Sequence, residues 1–257
     1  MVVEKQRARS FGSVAAEYER HRTGYAAEAV GWALAPVAAR QPLDVLDLAA
    51  GTGKLTAALA ARPGARVVAV EPDPAMLALL RTRLTTVTAL AGTAEDIPLP
   101  AGSVDAVLVG QAWHWFDARL AIAEAARVLR SGGVLAALWN SEDTAAGWIE
   151  GFRRANGWAE RSAQRSSGSQ RSSGSQRFPA DRTFGDTEHA EFHHRVPTTT
   201  AGMLSWLRTH SWVLTLDPTD RTTLLDRVRT HLDGHPETAS GTFDLPLVTT
   251  VLRAERR

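Results

Sequence analysis

The sequence predicts an α/β fold with a doubly wound, mostly parallel sheet, and three observations carry that reading. Short β-rich runs alternate with helical runs from residue 26 to residue 140. Runs such as VDAVLVG (104–110) and VLAALW (134–139) are apolar at nearly every position, as strands covered on both faces must be. Between the first strand and the helix after it stands a glycine turn, AAGTGK at 49–54, which lets backbone approach a ligand at the carboxyl edge of such a sheet.

In chain order, the pattern gives helix 26–39, strand 43–48, helix 53–62, strand 66–70, helix 74–84, strand 87–91, strand 104–109, helix 117–130 and strand 133–139. Residues 165–177 then read RSSGSQRSSGSQR, a tandem six-residue unit that cannot bury enough apolar surface to fold, so a flexible loop is expected. EHAEFHHRVP (188–197) has strand character, and helices are expected over 201–207 and 218–232. Asp217 and Pro218 supply an N-cap followed by proline at the first helical position. The run 245–252 alternates and is rich in Val and Thr, so it should return to the sheet as an antiparallel edge strand.

Composition removes several functions. With 29 basic and 28 acidic residues the net charge is +1, which offers no electrostatic footprint for a nucleic acid. The absence of cysteine excludes disulfides, thiolate metal sites and a cysteine nucleophile. The first twenty residues carry charges where a signal peptide needs an apolar run, and no stretch reaches the roughly 18 apolar residues of a membrane span, so a cytoplasmic protein is expected.

The glycine turn fits three binding chemistries unequally. A phosphate-binding loop fails because Leu48 stands in its first glycine position and Leu55 follows Lys54. A dinucleotide fingerprint is weakened by Thr56 in its third position. A nucleoside without phosphates needs a carboxylate at the end of the second strand for its ribose hydroxyls, and Glu71 stands there, about twenty residues after the turn.

Asp47 to Gly53 resembles the DxGxGxG signature of class I S-adenosylmethionine-dependent methyltransferases. VVAVEPDPAML, AGTAEDIPLPAGSVDAVLVGQAWHWFD and ARVLRSGGVLAALW resemble the family's later motifs, closest to small-molecule methyltransferases with an HWFD element after the fourth strand. The resemblance implies a single Rossmann-like domain over 1–257: an N-terminal lid helix (1–25), a cofactor-binding core (26–140), a substrate cover (141–240) and the returning edge strand (241–257). It also implies S-adenosylmethionine as cofactor, with S-adenosylhomocysteine as product. The turn from Ala49 through Gly51 to Gly53 would meet the methionine moiety, Asp47 would position it, and Glu71 would hold the ribose. Pro72 and Met76 would flank the adenosine, Thr93, Ala94 and Glu95 would lie at the adenine edge, and Gln111 would stand beside the cofactor. Ala49 replaces a glycine in a turn expected to accept it. Thr93 stands where relatives often carry an aspartate. Tyr18 and Arg22 match the residues with which the family's lid closes over cofactor and substrate.

S-adenosylmethionine brings its own electrophile, so the protein must mainly align a nucleophile and exclude water, and a base is needed only for a protonated acceptor. His114 is the candidate base. Its alternative role is to bond the backbone at the next helix start, with Asp117 capping that helix. Trp113, Trp115, Trp139, Trp148 and Trp206 are candidate walls for an apolar or aromatic acceptor, or ordinary core. His189, His193, His194 and His210 do not form a recognisable metal site, and no metal is expected. The reading is therefore methyl transfer to a small molecule at oxygen, nitrogen, carbon or carboxylate. A protein that binds S-adenosylmethionine without methylating, or a cyclase, is the alternative on the same fold.

Overall fold

The computed structural model describes residues 19–158 and 178–257. Tyr18, most of the expected lid helix and the repeat at 165–177 lie outside the described residues. The chain runs α1 (Ala27–Leu34), a 3-10 turn (Ala35–Val37), β1 (Leu43–Leu48), α2 (Lys54–Ala60), β2 (Ala65–Glu71), α3 (Pro74–Arg83) and β3 (Thr88–Ala91). It continues with β4 (Val104–Gly110), a 3-10 turn (Trp113–Trp115), α4 (Ala118–Val128), β5 (Leu129–Glu142) and α5 (Gly147–Ala155). The last elements are β6 (Glu188–Thr199), α6 (Thr200–Arg208), α7 (Ser211–Leu214), α8 (Pro218–Gly234) and β7 (Thr242–Glu255).

The seven strands lie in the order β3-β2-β1-β4-β5-β7-β6. β1 to β5 pair in parallel, and β7 returns antiparallel beside β5. The outer side of β7 is taken by β6, so the outermost strand on this side is β6. Strand order reverses between β1 and β4, the place where an open α/β sheet leaves a crevice at its carboxyl edge.

The apolar strands are buried on both faces, as their sequence requires. On one face Val45, Ala106, Leu108, Ala136 and Leu138 pack with residues of α1 and α2. On the other Leu46, Val107, Val109, Leu135 and Ala137 pack with Ala121, Ile122 and Ala125 of α4. A separate core joins Trp148 and Phe152 of α5, Met203 and Trp206 of α6, and Val228 and Leu232 of α8 to Phe243, Leu245 and Leu247 of β7.

Three boundaries differ from the sequence reading for local reasons. Pro36 lies in the 3-10 turn that ends the expected helix at Leu34, because its ring removes a helical N–H donor. β5 and β7 run to 14 residues each, since each offers the other a partner beyond the parallel core. α5 has no counterpart in that reading: glycines at its first and fifth positions hide the stripe of Trp148, Ile149 and Phe152 that it buries. Asp117 and Asp217 cap α4 and α8 as expected, each accepting from two backbone N–H groups.

At the amino edge of the sheet a charged clasp closes the strand starts. Asp105 accepts from Arg40 Nη1 at 2.7 Å and from the Asp44 N–H at 2.9 Å, and Arg130 bridges it to Asp44. Among the described residues, no helix is long and apolar enough to cross a membrane.

Candidate functional site

The opposite, carboxyl edge carries the glycine turn. Ala49, Gly51 and Gly53 all have left-handed backbone, with φ of 57°, 59° and 90°. At Gly53 a Cβ would also meet Leu84 Cδ1 at 3.0 Å and Leu80 Cγ at 3.1 Å, so both dihedral and space demand glycine. Ala49 has no such freedom, and it carries the strain of a left-handed alanine, a cost of about 1 kcal/mol. The turn tolerates this residue rather than favouring it.

Glu71 fastens the turn from below. Its Oε2 accepts from the Gly51 N–H at 2.7 Å and its Oε1 from the Asp73 N–H at 2.8 Å. Burial pushes its carboxyl up to about 6, against the lowering effect of those two N–H groups. Asp47, at 0% exposure, is pushed up to about 7 by burial and by the nearby Glu71 charge, although the Thr56 hydroxyl donates to it at 2.6 Å. Its Oδ1 is buried and has no hydrogen-bond partner among the described residues. Each oxygen of Glu71 has a second lone pair beyond its backbone contact. A left-handed turn over two buried carboxylates is suited to a neutral, hydroxyl-rich ligand part and ill suited to phosphate. These residues therefore fit an adenosyl cofactor.

The other expected cofactor residues gather on the loops of the same edge. Met76 is buried at the start of α3, its Sδ 3.8 Å from where a Gly51 Cβ would lie, and Pro72 is exposed between β2 and α3. Asp73 caps α3 by accepting from Ala75 N and Met76 N. Thr93 is exposed and bridges to Asp96, while Ala94 is buried. Glu95 reaches sideways, its Oε1 accepting from the Asp117 N–H at 2.9 Å, and so ties this loop to the start of α4. Gln111 follows β4 with a φ of 58°, and its Nε2 donates to the Asn140 carbonyl at 3.0 Å.

The segment before α1 crosses this edge. Arg22 donates to Thr209 Oγ1 at 3.0 Å and lies 5.9 Å from the ring of Trp206, joining the segment to the helical cover. Asn140, at the end of β5, donates to the Gly24 carbonyl at 2.6 Å and accepts from Thr249 Oγ1, also at 2.6 Å. The Tyr25 hydroxyl occupies the space where a Gly110 Cβ would stand. Tyr25, Asn140 and Thr52 escaped the sequence reading. Asn140 and Thr52 are small polar residues without a distinctive pattern, and Tyr25 could have been found only by asking what the glycine at the end of β4 makes room for.

His114 is exposed in the 3-10 turn after β4, with its ring centroid 4.6 Å from that of Trp115. Trp115 is half-buried. Trp113 packs against Phe116 and Phe178 and belongs to the main core, as does Trp139. Trp148 and Trp206 lie within the core of the cover. The structure thus brings His114 and Trp115 to the open edge, while the other four tryptophans are at most 9% exposed. His193 Nδ1 pairs with Asp143 at 2.8 Å, and both ring nitrogens of His194 are buried without a hydrogen-bond partner among the described residues. Among the described residues there is no group of three or more His, Cys, Asp or Glu suited to a metal ion.

Comparison with known proteins decides what this geometry belongs to. The family model of the methyltransferase domain matches residues 46–137, from β1 into β5. An uncharacterized methyltransferase of Mycobacterium tuberculosis strain H37Rv is 43% identical over 246 residues, which is 95% of each chain. This chain belongs to the class I S-adenosylmethionine-dependent methyltransferases. A second uncharacterized methyltransferase, from Schizosaccharomyces pombe, is 35% identical over 142 residues, 55% of this chain and 57% of its own. Among solved structures, a chain from Anaeromyxobacter dehalogenans assigned as a type II methyltransferase superposes with a TM-score of 0.68. It is 26% identical and is matched over 91% of this methyltransferase and 97% of its own length.

Proposed function

We propose that this methyltransferase acts on a small apolar or aromatic acceptor, enclosed between the glycine turn and the helical cover of the same chain. The observation that carries this reading is the tie between Arg22 and Thr209, supported by Asn140 on Gly24, which draws a chain segment across the carboxyl edge and limits what can enter. A long polymer needs an open, basic groove, and a net charge of +1 supplies no such field. Nucleic acid is accordingly not among the proposed acceptors.

When bound, S-adenosylmethionine supplies a methyl group on a positively charged sulfur. The protein's work is then placement. Asp47 and the backbone from Ala49 to Gly53 hold the methionine end, Glu71 accepts from the ribose hydroxyls, and Met76 and Pro72 flank the adenosine. Thr93, Ala94 and Glu95 line the adenine edge, with Gln111 next to the reacting end. Arg22 covers the site, Trp115 excludes water beside it, and Trp113, Trp139, Trp148 and Trp206 support these walls from within the cores. For an acceptor that is a hydroxyl, His114 takes the proton as the new bond forms. A carboxylate acceptor needs no base.

The test is S-adenosylhomocysteine release from the purified enzyme with a panel of phenols, carboxylic acids and amines, with the methylated product identified by mass. Turnover confined to one apolar class is expected. Turnover only with RNA, DNA or protein would refute the acceptor class.

A further inference from the structure

The glycine turn is gripped from outside as well as from below. Thr52, at its centre, is 1% exposed. Its hydroxyl donates to Glu19 Oε2 at 2.5 Å, and its carbonyl accepts from Arg83 Nη1 at 2.8 Å. The other Glu19 oxygen faces two cations, Arg83 Nη2 at 2.6 Å and Lys54 Nζ at 3.0 Å. Three distant parts of the chain meet here: the segment before α1, the turn with the first residue of α2, and the last residue of α3. The Glu19 side chain is only 11% exposed, so these pairs are less screened than ordinary surface ones.

We propose that Glu19 is a positioning residue for the cofactor site: through the Thr52 hydroxyl it fixes the turn, while Lys54 and Arg83 hold its carboxylate in place. The need for such a restraint follows from the turn itself. Thr52 lies between two glycines with positive φ, which tolerate many backbone conformations; the Gly53 N–H is held on the Ala50 carbonyl at 2.9 Å, but the peptide joining Gly51 to Thr52 could rotate and turn its N–H away from a ligand. Bonds to both the hydroxyl and the carbonyl of Thr52 hold that peptide in one orientation. The Gly51 N–H already points at Glu71 in that orientation. Glu19 thus acts on the ligand through Thr52.

This inference rests on the cofactor assignment above, and the experiment separates the two. S-adenosylhomocysteine binding is measured by calorimetry on the full chain and on Glu19→Gln, Thr52→Val, Thr52→Ser and the double variant Glu19→Gln/Thr52→Val, with melting temperatures alongside. Glu19→Gln and Thr52→Val should each weaken binding about 3- to 10-fold, in proportion to the net worth of one hydrogen bond. The double variant should be no weaker than the worse single, because both changes break one coupled unit. Thr52→Ser, which keeps the hydroxyl, should bind like the parent. Parent-like affinity in Glu19→Gln, fully additive losses, or a Thr52→Ser as weak as Thr52→Val would overturn the proposal. Failure of the parent itself to bind S-adenosylhomocysteine would overturn the cofactor assignment and the proposal with it.

Discussion

Cofactor affinity should fall with pH through Glu71, and the slope should report how many buried carboxylates the ligand needs ionised. The Glu71 carboxyl, raised by burial, titrates at about 6. Ribose hydroxyls donate, so they favour the charged acceptor. With that value, ionisation drops from about 97% at pH 7.5 to about 10% at pH 5, which weakens binding roughly tenfold, or about 1.4 kcal/mol. The ligand to use is S-adenosylhomocysteine, whose ammonium and carboxylate keep their charges across this range. Asp47, pushed up to about 7, would add a second unit of slope if the ligand also required it charged. One oxygen of Asp47 is occupied by Thr56 and the residue is wholly buried, so a slope of one is expected.

The fold should withstand the measurement. For both carboxylates the folded pKa lies above the unfolded value, so the stability linked to them is fully present below about pH 4 and lost as pH rises through about 6 and 7. Moving to pH 5 therefore stabilises the empty protein as far as these two groups are concerned. The control is Glu71→Gln. An amide offers one acceptor oxygen where the carboxylate offers two, so its NH2 must face either the Gly51 N–H or the Asp73 N–H. Binding should weaken by about 1.5 to 3 kcal/mol and lose its slope below pH 6. Calorimetry at half-unit pH steps, with circular dichroism at each, decides the matter. An affinity that stays flat between pH 5 and 7.5 in folded parent protein would refute the ribose role of Glu71.

Other consequences can be measured directly. Ala49→Gly relieves a left-handed alanine at φ 57° but loosens the unfolded chain, so thermal denaturation should show a net change between zero and about 1 kcal/mol in favour of the variant. Asp105→Ala leaves Arg40, Arg130 and the Asp44 N–H without their shared acceptor and should cost about 2 to 3 kcal/mol in urea unfolding. Burial raises the Asp105 carboxyl, yet the Asp44 N–H and the two guanidiniums bring it below the usual aspartate value, so its contribution should be present above that value and vanish as pH falls through the depressed one. Gly110→Ala forces the Tyr25 hydroxyl out of its place, and the melting temperature and S-adenosylhomocysteine affinity should both drop. Once a hydroxyl acceptor is found, His114→Ala should lower the rate by roughly 100-fold, with little change in melting because the side chain is exposed.

The sheet was legible because its signal is local and redundant. Strands such as Val104–Gly110 are apolar throughout, and caps such as Asp117 and Asp217 announce their helices in a few residues. The cover was less legible. α5 buries Trp148 and Phe152 against α6, α8 and β7, partners more than forty residues away in sequence, and no periodic run of nine residues with two glycines reveals that. The position of β6 outside β7 has the same origin, since strand order in an antiparallel addition is set by packing against the cover rather than by the strand's own pattern.

In the candidate site, Glu71 could be named from its spacing and Asp47 from the resemblance to the family's signature, but the contacts that aim them could not. Glu71 stood out at the end of a strand, twenty residues after Gly51, yet that its oxygen takes the Gly51 N–H itself depends on how β1 and β2 align, with Leu48 beside Val70. The tryptophans were legible by number and not by place. The tryptophans at and after the fifth strand suggested an apolar or aromatic acceptor by their number, with core filling as the equal alternative, and Trp139, Trp148 and Trp206, like Trp113, lie within two separate cores. An aromatic side chain has the same signature whether it faces a ligand or a neighbour, and only burial separates the two. Backbone strain separates them better: Ala49 and Gln111 are the non-glycine residues with positive φ among those described, and both stand at the carboxyl edge where the glycine turn and the end of β4 meet. Such strain persists only where surrounding contacts over-determine it, here Glu71 on the turn and Asn140 on Gln111, so the site's rigidity is written in bonds between segments that the linear sequence keeps apart.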